Sequence, residues 1–325
     1  MKNRYHYLSR LALVSLACLP FSAHAEANWP SKNITIIIPA SPGGTTDLVG
    51  RMISEPLAKE LGQTVIIENK AGAAGIIGTQ ALVRAKPDGY TLIMGNIGPN
   101  AINYSLYKDL PYKKEDFVPI TNVISVPNVL VVNEATPVKT VQELISYVAQ
   151  DPKHQTFGSS GKGQSPHMSA ELFMQRGNLK AEHITYKGAG PAVAALLANQ
   201  FTFMIDNLPS SMPHIKSGKL RALAVTSDKR VADLPDVPTM KEAGVDNMVV
   251  TAWFGLFAPA GTPEEIVNKV QAASKKVLES EDIQKRFAQL GGEAGGNTPK
   301  EYAQYVKEQQ DMWADIVKAA DIKMD

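Results

Sequence analysis

The sequence predicts an α/β protein of two lobes, each built on a mostly parallel sheet with flanking helices, joined by a hinge. Three observations predict this fold. Apolar runs typical of buried strands alternate with amphipathic helical segments along most of the 325 residues. The same strand–helix plan starts again in the middle of the chain. A chain of this length usually forms two domains, each with its own core.

Residues 1–25 have the features of a signal peptide. Basic residues precede a short apolar run at 11–21, and residues 23–25 read Ala-His-Ala, an A-x-A cleavage site. The apolar run is too short for a stable membrane span. Its Cys18 is the only cysteine of the chain, in a context that fits lipoprotein cleavage poorly. We therefore expect cleavage between Ala25 and Glu26, leaving a mature chain without cysteine.

Composition narrows the function classes. Without cysteine, the mature chain has no disulfide, thiolate metal ligand or cysteine nucleophile. The whole chain carries 33 Lys+Arg and 32 Asp+Glu. Three of the basic residues belong to the leader, so the mature chain is close to neutral. A near-neutral chain without a basic run argues against nucleic-acid binding. No later segment is apolar for long enough to span a bilayer.

The first unit alternates strands and helices. Gly62 is expected to end its first helix and Thr140 to cap its last one. In chain order, the predicted elements are a strand at 34–39, a helix at 47–61, a strand at 65–68, a helix from 72 towards 85, strands at 90–94 and 129–133, and a helix at 141–150.

The second unit follows the same plan. Gly177 is expected to close its first helix, and Pro191 suits the first turn of its second. In chain order, the predicted elements are a strand at 156–158, a helix at 166–176, a strand at 183–186, a helix at 191–198, and strands at 201–205 and 220–226.

The C-terminal part is mostly helical. An apolar run at 253–258 precedes predicted helices at 264–278, 281–290 and 299–320. Isolated helices are marginal in water, so these must pack on another element. The simplest arrangement returns the chain to the first lobe, with two crossings that form the hinge. We therefore expect lobe I to comprise 26–124 plus 250–325, and lobe II to comprise 125–249.

Two glycine-rich elbows are the strongest functional signal. The segments 36–47 and 156–167 each leave an apolar strand, turn on glycines and open a helix. A helix N-terminus offers free N–H groups and partial positive charge, which suit an anion. Two such elbows suggest two lobes that close on one small acidic ligand. The candidate contacts are Ala40, Ser41, Pro42, Gly43, Gly44, Thr45 and Asp47 in the first elbow, and Ser159, Ser160, Gly163, Ser165 and His167 in the second.

Two further candidates, Asn96 and Asp206, end predicted strands. Ligands of open α/β sheets bind at the carboxyl ends of strands, so both side chains are candidates for the cleft. Structural alternatives stay open for several candidates. Asp47 also suits the dipole of its own helix, and Ser165 also suits the cap before Pro166.

A catalytic interpretation of Ser160, His167 and Asp206 is not supported. The chain has no G-x-S-x-G elbow and no clear oxyanion hole beside a base, so we expect no enzyme. His167 and Glu171 lie four residues apart on one helix, where an ordinary surface pair is the alternative. The histidines after the leader lack metal-ligand spacing, and we expect no metal.

Two glycine-rich segments resemble cofactor loops without meeting their requirements. Lys162 stands in a Gly-Lys-Gly-Gln segment that lacks the Ser or Thr of a phosphate loop. Gly72, Gly75 and Gly78 do not have the spacing of a dinucleotide fingerprint, so close packing of helix on sheet is the better interpretation. We therefore expect no cofactor.

Taken in order, the motifs resemble a known family. They look like the extracytoplasmic solute receptors of the tripartite tricarboxylate transporter group, often called Bug proteins. The resemblance covers nearly the whole mature chain. Its most specific segments are Gly43-Gly44 with Asp47, residues 68–73, residues 87–92, Ser159-Ser160-Gly161 with Gly163 and His167, residues 186–188, Asp206-Asn207, residues 215–225 and residues 258–263.

The resemblance implies a two-lobed Venus-flytrap receptor in the periplasm. Small carboxylates would be held between the lobes by backbone N–H groups and bridging waters. A membrane transporter would be the partner, with a membrane signalling protein as the alternative, and the receptor itself is expected to be a monomer. The first elbow departs from the pattern: many members have an aromatic residue and alanine where this chain has Ala40 and Pro42. The smaller side chain at 40 suggests room for a bulkier, aromatic carboxylate.

Overall fold

A computed structural model of the chain describes residues 29–319. The predicted signal peptide, its cleavage site and Cys18 lie outside this range. The strands within it are β1 (Ile34–Ile38), β2 (Val65–Asn69), β3 (Thr91–Asn96), β4 (Phe117–Asn133), β5 (Thr156–Ser159), β6 (Glu182–Thr185), β7 (Phe203–Asn207), β8 (Leu220–Val225), β9 (Thr251–Pro259) and β10 (Glu293–Ala294).

The α-helices of the described residues alternate with these strands along most of the chain. They are α1 (Thr45–Leu61), α2 (Ile76–Val83), α3 (Asn103–Leu106), α4 (Val141–Gln150), α5 (Ser165–Gly177), α6 (Ala189–Leu197), α7 (Leu208–Lys216), α8 (Glu264–Glu279), α9 (Glu281–Gln289) and α10 (Pro299–Ala319). Short 3₁₀ turns at 73–75, 114–116 and 152–154 and a π-helical turn at 98–102 complete the elements.

The strands form two sheets that share β4, which gives the molecule two lobes. In lobe I, β2, β1 and β3 are parallel, and β9 and β4 continue the sheet in antiparallel pairs. In lobe II, β6, β5 and β7 are parallel, and β7 and β8 pair antiparallel with β4. The predicted α/β class is therefore found. The parallel strands form the outer part of each sheet, and the antiparallel pairs surround the strand that crosses between the lobes.

Strand β4 is much longer than the sequence predicted. Residues 117–127 pair with β9 in lobe I, and residues 128–133 pair with β7 and β8 in lobe II. Pro119 and Pro127 interrupt its apolar pattern, and proline is unfavourable inside a sheet. The pairing with β9 shifts register beside Pro119 and again between Asn122 and Ile124. These irregularities allow the strand to continue through this segment. The predicted lobe boundaries near 124 and 249 stay predictions.

The C-terminal part lies on lobe I. Strand β9 lies between β3 and β4, and α8 packs against α1. Trp253 of β9 is fully buried, with its ring centroid 5.9 Å from that of Tyr302 on α10. Burial of a large aromatic side chain contributes several kcal/mol of hydrophobic stabilisation, on the order of 3 kcal/mol for such a ring. The amphipathic C-terminal helices are held in place by this contact surface.

The helix ends agree with the sequence in part. Gly62 ends α1 in the left-handed conformation at φ 69°, and the Thr140 hydroxyl accepts the N–H of Glu143 at 3.1 Å, both as predicted. Helix α5 differs at both ends: Gln164 is its N-cap, which corrects the suggested cap by Ser165. Its C-cap is Asn178 at φ 49°, which corrects the predicted closure by Gly177.

Candidate functional site

A small cavity lies between the two lobes. Its volume is about 30 Å³, and the surrounding residues come from loops and helix starts of both lobes. They are Pro39, Ala40, Gly44, Thr45, Thr46, Gly72, Ala74, Gly75, Asn96, Ile97 and Phe254 from lobe I, and Ser160, Gln164, Ser165, Lys187, Gly188, Ala189 and Asn207 from lobe II.

Five helices begin at this cavity. Their N-cap residues all line it, and none of them caps its helix with a side-chain hydrogen bond. Away from the cavity, α4 is capped by Thr140, whereas α8 and α9 also lack a side-chain cap. A helix start without a side-chain cap leaves backbone N–H groups available to a ligand. The five N-caps are Gly44 of α1, Gly75 of α2, Gln164 of α5, Gly188 of α6 and Asn207 of α7.

The charge near these helix starts supports an anion site. Helices α8 and α9 lie elsewhere and carry acidic residues in their first turns, whereas α2, α5, α6 and α7 carry none. Acidic residues in the first turn compensate the positive end of the helix dipole. The exposed Lys187 is the one charged residue among those around the cavity. An external anion would therefore supply the missing negative charge.

Helices from opposite lobes begin side by side in two places. A β-carbon placed on Gly44 of α1 would lie 3.3 Å from the β-carbon of Ala189 on α6. A β-carbon placed on Gly75, before α2, would lie 3.3 Å from Nε2 of Gln164, before α5. Each place joins one helix start of lobe I to one of lobe II. An anion bound there would contact both lobes and would hold them together.

The cleft is closed, and direct hydrogen bonds join its two sides. The Ser41 hydroxyl donates to the carbonyl of Lys187 at 2.5 Å. The side-chain amide of Gln164 donates to the carbonyl of Ala74 at 2.5 Å. The Tyr107 hydroxyl donates to the carbonyl of Lys162 at 3.2 Å. This closure explains the small volume of the cavity. Ala40 lines the cavity, and the room for a bulkier carboxylate that its small side chain suggests stays a prediction.

Asn128 forms a buried polar cluster at the base of the cleft. Its side-chain amide donates to the hydroxyls of Ser165 at 3.0 Å and Ser169 at 2.7 Å, and its carbonyl oxygen accepts from Asn207 at 2.6 Å. Its backbone N–H donates to the hydroxyl of Thr226 at 2.8 Å. Ser165 and Asn207 also line the cavity. Asn128 belongs to β4, the strand that crosses between the lobes. The cluster therefore fixes the positions of these two cavity residues relative to that strand.

Part of the predicted set lines the cavity. The residues that do so are Ala40, Gly44, Thr45, Asn96, Ser160 and Ser165. The side-chain oxygen of Asn96 accepts the N–H of Gly98 at 3.0 Å, and its backbone N–H donates to Asn100 at 3.1 Å. These bonds fix the turn that follows β3, and with it the part of the wall formed by Asn96 and Ile97.

The other candidates of the first elbow lie beside the cavity. Ser41 forms the cross-cleft bond, and Pro42 and Gly43 are exposed at the rim. Asp47 is buried and accepts from the N–H of Gly43 at 3.0 Å, from Arg51 at 2.9 Å and from Asn69 at 2.9 Å. Burial alone would raise the pKa of Asp47, but these hydrogen bonds together lower it. Asp47 thus shapes the elbow and does not line the cavity.

Three candidates of the second elbow support the elbow from beneath. They are Ser159, Gly163 and His167. Nδ1 of His167 accepts the N–H of Gly163 at 3.1 Å, and its ring stacks on that of His183 at 4.2 Å. The Ser159 hydroxyl lies 2.6 Å from Nε2 of His183. Burial, with the charges of His167 and Lys162, lowers the pKa of His183 to about 3. These residues hold the elbow in shape and do not line the cavity.

Asp206 faces away from the cavity. Successive strand residues point to opposite faces, and it is the next residue, Asn207, that lines the cavity. The Asp206 carboxylate is fully buried and accepts from the hydroxyls of Ser210 and Ser211. Its other oxygen, Oδ1, has no hydrogen-bond partner. Burial raises the pKa of Asp206 to about 6, although the bonds from Ser210, Ser211 and the Asn207 backbone lower it.

Replacing Asp206 with Asn is expected to change how stability depends on pH. A carboxyl with a raised folded-state pKa contributes stability below its unfolded pKa near 3.9, and this is lost as pH rises through about 6. Between pH 4 and 7 the wild type should lose about 2 kcal/mol from this group, and Asp206→Asn should not. Urea unfolding at both pH values, with exposed Asp246→Asn as the control, measures this. Parallel pH profiles for wild type and Asp206→Asn would contradict it.

Several residues of the cavity wall were not predicted from the sequence. Lys187, Gly188 and Ala189 form a third strand–glycine–helix elbow between β6 and α6. The pattern Tyr186-Lys187-Gly188 was visible in the sequence, but it is shorter than the other two elbows. Gly72 and Gly75 were attributed to packing, yet both line the cavity. Ile97 and Phe254 had no local signal, because an apolar residue beside or within a strand is ordinarily a core residue.

Within residues 29–319, the structure contains neither a candidate metal site nor a candidate membrane-spanning helix. No group of three or more His, Cys, Asp or Glu side chains in that range could hold a metal ion. No helix in the described part of the chain is both long and apolar enough to cross a bilayer.

Two α/β lobes that close on a cavity surrounded by helix starts define the class of two-lobed periplasmic binding proteins. The chain belongs to a particular family of that class: residues 49–322 match the model of the tripartite tricarboxylate transporter family receptor. It is similar to BugT of Bordetella pertussis, with 36% identity over 298 residues that cover 91% of each chain. This confirms the resemblance drawn from the sequence.

Solved structures show the same relationship. A structure described as a periplasmic transporter has 40% identity and a TM-score of 0.89, covering 91% of this chain and all of that one. Rpa4515 of R. palustris, solved with adipate, has 35% identity and a TM-score of 0.88, over 91% of this chain and 99% of that one. MatC from Rhodopseudomonas palustris, solved with bound malate, has 34% identity and a TM-score of 0.85, over 89% and 100%. The predicted two-lobed fold is confirmed.

Proposed function

We propose that this protein is a periplasmic receptor that captures a small organic carboxylate by lobe closure and delivers it to a tripartite tricarboxylate-type transporter. The observation that carries the proposal is the set of five helix starts around one cavity, none with a side-chain cap. The adipate and malate of two similar structures support a carboxylate as the ligand. The family description supports the transporter as the partner.

The cavity wall favours a carboxylate over other small solutes. Backbone N–H groups that bind an ionised oxygen form charge-assisted hydrogen bonds, which are stronger than neutral ones. No acidic side chain belongs to the cavity wall, so a ligand ammonium group would have no carboxylate partner there. Amino acids are therefore weaker candidates than carboxylates without an amine. The wall also has no histidine or acidic group positioned as a base, which supports capture without chemical change.

Binding should be tested with the mature protein by calorimetry against aliphatic and aromatic carboxylates, amino acids and neutral sugars. The expected result is tight binding of at least one carboxylate, with the ligand recovered intact after release. Binding only of an amino acid or a sugar would contradict the proposal. Release of a chemically altered ligand would replace it with an enzymatic function.

Lys187→Gln is expected to weaken carboxylate binding by about 2- to 5-fold, because Lys187 is the charged side chain at the cavity but is exposed to solvent. The loss should shrink at high salt, where exposed charges are screened. Calorimetry at low and high ionic strength measures both effects. Lys180→Gln, an exposed lysine of the same lobe away from the cavity, is the matched control. An equal effect of the two variants would reduce the role of Lys187 to general surface charge.

A further inference from the structure

Gln164 occupies an unusual position at the start of α5. Helix N-caps are usually Ser, Thr, Asp or Asn, whose short side chains bond to the first turn. Gln164 is the N-cap but makes no such bond. Its side chain instead crosses the cleft and donates to the carbonyl of Ala74 at 2.5 Å. The residue therefore connects lobe II with lobe I, and it lines the cavity as it does so.

The side-chain amide of Gln164 lies in a socket of lobe I, formed by Ala74, Gly75 and Gly98. A β-carbon placed on Gly98 would lie 2.6 Å from Oε1, 2.8 Å from Cδ and 3.0 Å from Nε2 of Gln164, which are the three nearest atoms. Gly98 does not have a positive φ, so its backbone does not require glycine. The absence of a side chain at 98 therefore serves to admit the amide of Gln164.

The other side of the socket has an uncommon backbone. Four consecutive residues have positive φ: Gly72 at 127°, Ala73 at 44°, Ala74 at 51° and Gly75 at 89°. Alanine rarely adopts this conformation, and such residues concentrate at ligand-binding and switching segments. Here the conformation accompanies the bond from Ala74 to Gln164. The socket is thus part of lobe I, and the side-chain amide of Gln164 from lobe II enters it when the cleft closes.

We propose that Gln164 is a specificity-determining residue that forms one end of the closed cavity and limits the length of the ligand. This inference rests on the proposed function. With the amide in its socket, the cavity is only about 30 Å³, and α2 and α5 begin on either side of the amide. A long dicarboxylate would have to displace Gln164 from the socket, whereas a short one would not. The ligand class is therefore a short aliphatic carboxylate, such as malate or succinate.

The test compares malate, succinate and adipate by calorimetry on the mature wild type and Gln164→Ala. The wild type should bind malate or succinate at least tenfold more tightly than adipate, and Gln164→Ala should reduce that ratio at least tenfold. Gln175→Ala, at an exposed position of the same helix, should keep the wild-type ratio. Thermal unfolding of the unliganded variants verifies that each is folded.

A second pair of variants tests the socket itself. Gly98→Ala should weaken binding of malate and succinate at least tenfold, because its β-carbon excludes the amide of Gln164. Adipate, which displaces that amide from the socket in the wild type as well, should lose much less affinity. Gln164→Ala with Gly98→Ala should regain most of that loss, since the clash disappears with the amide. A structural defect at 98 would give no such rescue.

The outcomes separate this inference from the proposed function. If the wild type binds none of the three acids, the inference is overturned; if it also binds no other carboxylate, the proposed function falls with it. If the wild type and Gln164→Ala have the same ratio of malate or succinate affinity to adipate affinity, only the role of Gln164 is overturned. Wild-type preference for adipate, or failure of the double variant to regain affinity, also overturns it.

Discussion

Gly44→Val is expected to weaken carboxylate binding by about 100-fold, equivalent to roughly 3 kcal/mol, while the unliganded protein stays folded. Gly44 is the N-cap of α1, and it faces the start of α6 across the cleft. A β-carbon there would already lie 3.3 Å from that of Ala189, and the valine methyl groups reach further. The two lobes could then no longer close at this place, so the ligand would lose its contacts with one of them.

The backbone at Gly44 explains why folding should survive. Its φ of −83° and ψ of 167° are extended values that valine adopts readily. The clash is with the opposite lobe only, and opening of the cleft relieves it. Calorimetry with the tightest-binding carboxylate and thermal unfolding without ligand measure the two effects. Gly177→Ala, where a β-carbon has ordinary contacts of 3.5 Å, is the control. Affinity within about threefold of wild type would disprove the assignment of Gly44 to the ligand cleft.

Asn128→Ala is expected to lower the free energy of unfolding by about 3 kcal/mol. The side chain is fully buried and supplies partners to Ser165, Ser169 and Asn207. Its loss leaves several buried polar groups without a partner, each costing about 1–3 kcal/mol before the structure relaxes. Ser165 and Asn207 also line the cavity, so carboxylate affinity should fall by about tenfold as well.

Urea unfolding of Asn128→Ala and Ser169→Ala measures the stability effect. Ser169→Ala removes one partner of Asn128 and should cost only about 1 kcal/mol. The double variant should cost less than the sum of the single ones, because both changes remove the same bond. If Asn128→Ala were no more destabilising than Ser169→Ala, the cluster would not have the structural importance that its contacts indicate.

The fold was largely predictable because strands and helices of this chain carry strong local signals. Helix α4 agrees at both ends, and its Thr140 cap is a local chemical feature. Helix α7 escaped prediction since Pro209 and Pro213 fall within nine residues. Proline is tolerated in a first turn, but an interior proline normally argues against a helix. The first part of β4 escaped for a similar reason, because its pairing depends on β9, far away in sequence.

The sequence predicted two loops that form the site, but not which residues of those loops line the cavity. Glycines after a buried strand located Gly44 and Ser160 correctly at the cavity wall. Side chains alternate between the two faces of β7, so a shift of one residue decides whether Asp206 or Asn207 points into the cleft. The sequence does not locate the strand with that precision. The contacts of Gln164 with Gly98 could not be read from the sequence at all, because they exist only when two lobes meet.

The continuous strand β4 has a consequence for how the two lobes unfold. Its 17 residues pair with β9 on one side of the hinge and with β7 and β8 on the other. At the passage between them, the Thr226 hydroxyl accepts the N–H of Asn128 and donates to the carbonyl of Val250 at 2.6 Å. Loss of the whole of β4 would therefore expose the cores of both sheets. We expect the two lobes to unfold together, so that a destabilising change in one lobe lowers the unfolding temperature of both.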